Sequence, residues 1–247
     1  MTSKKIERSL VLIKPDALKN SLTGYILSQF SEFHTGLRFA ALKVVSVNVA
    51  LASEHYAEHY GKFFYPSLVD YIRGLIHYPD DPGKRRVIAI VYQGPDAIKT
   101  IRSICGPTNP HDARAERPGC IRAMGTVVPL KDEKGEYLGD RMDNLIHASA
   151  NSDDAQREIK LWFKPSDIPP VMRGYETVIC DEYFYYKDNA LSTKYFDGSL
   201  CFLSPGKIVW KTDMEALHKI IVGQDAKGMT ANTVVAKYLT NREDQPA

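Results

Sequence analysis

Apolar runs of strand length, separated by stretches with helical spacing, constrain this chain more than any other feature of its sequence. Residues 9–13 form one such run, ending at Lys14-Pro15-Asp16, where proline cannot donate to a ladder. Tyr25, Ile26, Phe30 and Phe33 then recur at helical spacing, and Gly36 is placed to end that helix. Residues 39–49, rich in β-branched side chains, read as a second strand. Ser53 predicts a cap for a helix over 54–60, a short helix follows over 67–76, and 78–84 is rich in turn residues. Residues 87–92 read as a buried strand, and Gly94-Pro95 opens a helix reaching Cys105. The stretch 106–119 reads as a long loop, a length associated with function. Residues 123–143 read as a hairpin, and a helix opens at Ser152-Asp153-Asp154 and stops before Pro165. This order predicts an α+β fold, a ferredoxin-like βαββαβ sandwich with an antiparallel sheet and helices on its faces. The reading places a principal domain at 1–186 and a C-terminal extension at 187–247. The extension is expected to hold a strand pair near Leu200 and Ile208 and helices near 213–222 and 230–239.

Composition narrows the function. Of 247 residues, 44% are hydrophobic and 25% charged, which favours a packed globular chain. Lys and Arg exceed Asp and Glu by only 2 (32 against 30), so charge makes no case for duplex DNA or an anionic membrane. No apolar run is long enough for a transmembrane helix, and the N-terminus lacks the features of a signal peptide. Cys105, Cys120, Cys180 and Cys201 fit no metal or disulfide spacing and read as reduced thiols, the expectation for a cytoplasmic protein.

No phosphate-binding glycine loop, dinucleotide fingerprint or nucleophile elbow occurs. Any phosphate chemistry must therefore be done by side chains. His55-Tyr56-Ala57-Glu58-His59 spells HxxEH, a pattern that places two histidines one helical turn apart and suits zinc. The same residues fit a solvated surface helix.

A further set of fragments occurs in fixed order: IKPDAL from Ile13, TNP from Thr108, RPGxIR from Arg117, NLIHAS from Asn144 and REIxLWFKP from Arg157. Together they resemble the nucleoside diphosphate kinase family over roughly residues 7–186. The resemblance implies transfer of the γ-phosphoryl of a nucleoside triphosphate to a nucleoside diphosphate, by ping-pong through phospho-His147. Neutral imidazole is a good nucleophile near neutral pH, and its phosphoramidate passes the group on. Glu158 matches the carboxylate that orients the ring, and Ser149 the hydroxyl that supports it. Lys14, Arg102 and Arg122 match the cations around the phosphates. Tyr60 and Thr108 match hydroxyl donors, Asn144 the residue on the sugar 3′-hydroxyl, and Phe64, rather than Phe63, the base-stacking aromatic. Mg²⁺ held through the nucleotide phosphates is implied, as is a homo-oligomer, hexamer or tetramer.

The chain departs from the family pattern near 78–86 and at 123–143, both insertions, and in the extension. Met142 and Leu138 are the candidates for the residue closing over the base, and Ala150 stands where an acid commonly follows the serine. Two other readings follow from these departures: a nucleotide-binding or regulatory protein with little turnover, and a zinc hydrolase using His55, Glu58 and His59.

Overall fold

The computed structural model describes residues 6–226 and 229–240. Two compact units divide between Ile159 and Lys160, earlier than the 186/187 boundary read from sequence. The first unit runs β1 (Ile6–Ile13), α1 (Pro15–Lys19), α2 (Thr23–Gln29), α3 (Glu32–Thr35), β2 (Arg38–Val45), α4 (Val49–His55), α5 (Tyr65–Ile72), β3 (Val87–Pro95), α6 (Ala97–Cys105), α7 (Pro110–Glu116), β4 (Thr126–Lys131), β5 (Tyr137–Asp143) and β6 (Ile146–Ala148). α8 (Ser152–Trp162) follows.

The main sheet has the order β2-β3-β1-β6 with every neighbouring pair antiparallel. That is the expected ferredoxin-like sandwich. β1 and β3 are central and covered on both faces, so their buried residues run on without alternation. Val11 and Ile13 pack with Ile26, Phe30, Ile90, Tyr92, Ile101 and Ile146 into one core. β2 is an edge strand and exposes Phe39, Leu42 and Val44. Pro15 both ends β1 and begins α1, and Gly36 closes α3 with φ 70°, as its place in the sequence suggested.

Several boundaries differ from the sequence reading. Ser53 caps nothing; Asn48 caps α4 by accepting from Leu51 N at 2.9 Å, so the helix starts earlier and ends at His55, with a 3₁₀ turn over Ala57–His59. β3 continues through Pro95, and the next helix begins at Ala97 rather than at Gly94-Pro95. The stretch 106–119 is not structureless: Asn109 accepts from His111 N at 2.8 Å and Pro110 opens α7. The hairpin expected at 123–143 is present as the antiparallel pair β4–β5.

The second unit contains β7 (Thr177–Ile179), β8 (Phe184–Lys187), β9 (Ala190–Ser192), β10 (Leu200–Leu203), β11 (Ile208–Trp210), α9 (Lys211–Ile221) and α10 (Ala231–Tyr238). β10 and β11 exist but do not pair with each other, contrary to expectation. β10 joins β8 and β9, while β11 pairs with β7, because Gly206 N and Cys180 N tie the turn before β11 back to β7's end. The core here is Phe184, Phe202, Val209, Leu217, Val234, Val235 and Leu239. Within it Asp213 accepts from Lys237 Nζ and from Tyr238 Oη (2.7 Å). No helix among the described residues is long and apolar enough to cross a membrane, and the four cysteines are free.

Candidate active site

The site grows from the junction of β1 and β6. Their register sets His147 opposite Leu12. Just beyond, Lys14 N donates to Leu145 O at 2.9 Å, and Asp16 Oδ2 accepts from Leu145 N at 2.9 Å. Leu145 has φ 70°, a left-handed torsion unusual for a side chain of its size. The Lys14-Pro15-Asp16 segment thus grips both polar groups of a strained residue, and the resulting kink separates Asn144 from the strand that carries His147.

His147 is partly accessible, with a side-chain exposure of 19%, and its Nε2 lies 3.0 Å from Glu158 Oε1. Glu158 comes from α8, whose start is fixed by Asn151: its Oδ1 accepts from Asp153 N and Asp154 N, both at 2.9 Å. The second carboxylate oxygen of Glu158 accepts from Ser149 Oγ at 2.6 Å, and Ser149 Oγ accepts from Leu10 N at 3.1 Å. Burial opposes ionisation of Glu158, but the charge and hydrogen bond of His147, then His55 and Ser149, outweigh it and hold the carboxyl at about 2. Nδ1 of His147 has no hydrogen bond among the described residues.

Two buried cations contact the backbone that leads into His147, Lys14 at Leu145 and Arg122 at Ile146. Lys14 is buried, donates from Nζ to Asn144 Oδ1 at 2.7 Å and lies 5.0 Å above the Tyr71 ring. Burial lowers its ammonium to about 8, with Asp16 opposing and Arg122 assisting. Asn144 Nδ2 donates in turn to Thr108 O at 2.9 Å. Arg122 is buried and donates to Gly106 O at 2.9 Å and Ile146 O at 3.2 Å. Its fork therefore props the backbone next to His147. Burial lowers its pKa, and the charge of Arg102 acts in the same direction. Arg102 and Thr108 are exposed.

The structure does not bring Tyr60 to the site. It is 80% exposed and meets Tyr65 edge-on at 5.5 Å. Tyr56, four residues earlier, is buried instead, and its hydroxyl has no hydrogen-bond partner among the described residues. Burial and the charges of Glu158 and Asp16 push its pKa up, so it stays a donor. The paired His-Tyr dipeptides at 55–56 and 59–60 look alike in sequence; the Asn48 cap starts α4 early enough that His55 falls in its last turn and Tyr56 directly after it.

His55, read from sequence within HxxEH, packs on His147. It is buried, with its ring 4.4 Å from that of His147 at 79°, and burial followed by the charge of His147 drives its pKa well below the ordinary value. The HxxEH residues do not converge: His59 and Glu58 pair at 3.4 Å in the 3₁₀ turn after α4, while His55 is buried. The set of possible metal ligands gathered among the described residues is His55, His147 and Glu158. Of the HxxEH residues only His55 belongs to it, so His55, Glu58 and His59 are not assembled as a ligand set. Phe64 is half-buried, 5.5 Å from His59, with Lys62 over its ring at 5.8 Å. Leu138 is exposed and Met142 half-buried on the hairpin.

Residues 7–168 match the family model described as nucleoside diphosphate kinase. The chain belongs to the nucleoside diphosphate kinase family. A nucleoside diphosphate kinase of Thermococcus kodakarensis is 34% identical over 201 residues, 81% of this chain and 98% of that protein. One from Thermus thermophilus is 37% identical over 163 residues, 66% of this chain and 99% of its own. Among solved structures, the Aquifex aeolicus nucleoside diphosphate kinase shares 33% identity and a TM-score of 0.53 over 67% of this chain and all of that one. The Borrelia burgdorferi enzyme, solved as a transition-state mimic with vanadate and ADP, shares 30% identity and a TM-score of 0.51 over 66% of this chain and 90% of its own. As a nucleoside diphosphate kinase, this chain takes nucleoside di- and triphosphates as substrates.

Proposed function

We propose that His147 carries the phosphoryl group between nucleotides, with Nδ1 as the nucleophile. The observation that carries this reading is the contact of Nε2 with Glu158 at 3.0 Å. A proton on Nε2 shared with that carboxylate leaves the lone pair on Nδ1. Nδ1 attacks the γ-phosphorus of a nucleoside triphosphate, the bond from phosphorus to the bridging oxygen breaks, and the diphosphate leaves with that electron pair. An incoming diphosphate then attacks the phosphorus, and the P–N pair returns to Nδ1. Glu158, fixed by Ser149 and α8, stabilises positive charge on the ring through both halves.

Phosphoryl transfer depends on stabilising charge around the equatorial oxygens. Lys14, Arg102 and Arg122 supply cations, and the unpartnered Tyr56 hydroxyl and Thr108 supply neutral donors. Asn144, already bonded to Lys14, takes the sugar hydroxyl. Phe64 offers a face on which any base can stack. The residues around His147 fit a cation delivered with its nucleotide rather than a resident one. Among the described residues the carboxylate on the ring is Glu158, which is engaged by His147 and Ser149; Asp16 is taken up by Leu145 N and Asp143 by His77 and Arg141. Mg²⁺ bound through the β- and γ-phosphates would neutralise part of their charge.

We also infer a homo-oligomer, hexamer or tetramer, supported by the apolar edge of β2, and a cytoplasmic location, supported by four free thiols. Incubation with γ-labelled ATP and Mg²⁺ tests the nucleophile. An acid-labile, alkali-stable label is expected on the wild type and none on His147→Ala. Label that survives the substitution overturns the assignment. Conversion of GDP no faster than in buffer would favour the binding-protein reading.

A further inference from the structure

We propose that the β4–β5 hairpin positions the aromatic segment that receives the base, and that Gly139 and Arg141 are the positioning residues through which it acts. This rests on the reading of Phe64 as the stacking residue.

Alternate residues of a strand share a face, so Gly139, Arg141 and Asp143 lie on one side of β5. All three touch the same stretch of chain, residues 63–77. Gly139 has φ 140°, and a Cβ built there would overlap the tip of the Phe63 ring. Phe63 therefore fills the space of the absent side chain. Its ring meets Phe64 edge-on, with centroids 5.3 Å apart and planes at 89°. One step along, Arg141 donates to Ser67 Oγ at 3.4 Å, in the first turn of α5, the helix that begins immediately after Phe64. The rest of its guanidinium grips Asp143 through Nε at 2.7 Å and a terminal nitrogen at 3.2 Å. Asp143 also meets His77 Nε2 at 3.0 Å.

Three successive positions on one strand face thus fasten both ends of the aromatic segment. The last of them precedes Asn144, whose side chain bonds Lys14. The insertion links the base platform to the phosphate site through a single strand. Phe63 is 53% exposed, so little besides Gly139 and Phe64 holds its ring, and displacing it leaves the sheet core untouched.

The test uses the full chain. kcat and KM are measured for GDP and CDP with ATP as donor, and the rate of His147 phosphorylation is measured with phosphoramidate, a donor that has no base. Gly139→Ala and Arg141→Ala are each expected to raise KM for both diphosphates about 3- to 10-fold, part of the loss that removing a base stack produces. kcat is expected to stay within about twofold, and the phosphoramidate rate to stay unchanged. Phe64→Ala should raise KM further in the same direction. If Phe64→Ala raises KM and neither hairpin variant does, the hairpin has no positioning role. A parallel fall in the phosphoramidate rate in the hairpin variants also overturns the proposal, since it marks general damage to the site. If Phe64→Ala itself leaves KM unchanged, the stacking assignment falls and takes this proposal with it.

Discussion

Glu158 and Lys14 are both buried ionisable groups, yet they are shifted toward different consequences. The Glu158 carboxyl sits at about 2 because the charge and hydrogen bond of His147 exceed the burial penalty. A depressed carboxylate contributes stability that is present above its unfolded value near 4.5 and is lost as pH falls toward 2. Glu158→Gln keeps the shape and removes the charge. A hydrogen bond to a charged group contributes about 1.5–3 kcal/mol, so kcat should fall about ten- to a hundredfold with KM nearly unchanged, as steady-state assays would show. Lys14 is brought down to about 8 by burial. Its charged form destabilises the fold below that value, and the penalty is relieved as pH rises from about 8 toward 10.5. For catalysis the sign is opposite, because phosphate binding needs the cation. kcat/KM should decline above about pH 8 in the wild type, and Lys14→Arg should move that decline to higher pH. A pH profile of kcat/KM for both proteins checks this.

At the scale of elements, the precision of the histidine–carboxylate pair depends on where α8 begins. Asn151 satisfies two of the amides that a helix start leaves bare. Asn151→Ala should lower stability by about 1 kcal/mol, measured as a drop in the urea midpoint, while label transfer to His147 persists. The acids of this first turn were legible from sequence, as were the central strands, because strand-sized runs between helical spacings admit few arrangements. α7 is not, because its Asn109 cap and Pro110 start are residue types that serve turns equally well and stand among Gly, Pro and Thr. The same applies to α4, where Ser53 is as plausible a cap as Asn48 until the burial of Leu51, Ala52 and His55 decides the register. Lys14, Asn144, Ser149 and Glu158 could be placed from their neighbours in sequence. Tyr56 could not, because choosing between two His-Tyr pairs requires knowing where a helix stops.

For the whole molecule, β2 is the sheet margin opposite β6, and it presents Phe39, Leu42 and Val44 to solvent. An apolar edge of this kind is a template for further strand pairing or packing. Light scattering of the wild type at micromolar concentration should give a multiple of the monomer mass. Leu42, 51% exposed, makes no part of the core, so Leu42→Glu should lower that mass while leaving the fold intact by circular dichroism. The strand that carries His147, β6, lies at the far margin, with β3 and β1 between. Growth along β2 therefore leaves each copy in sole possession of its own catalytic mouth: the number of turnover centres should scale one for one with the number of chains, and dilution that dissociates the particle should leave specific activity per chain unaltered.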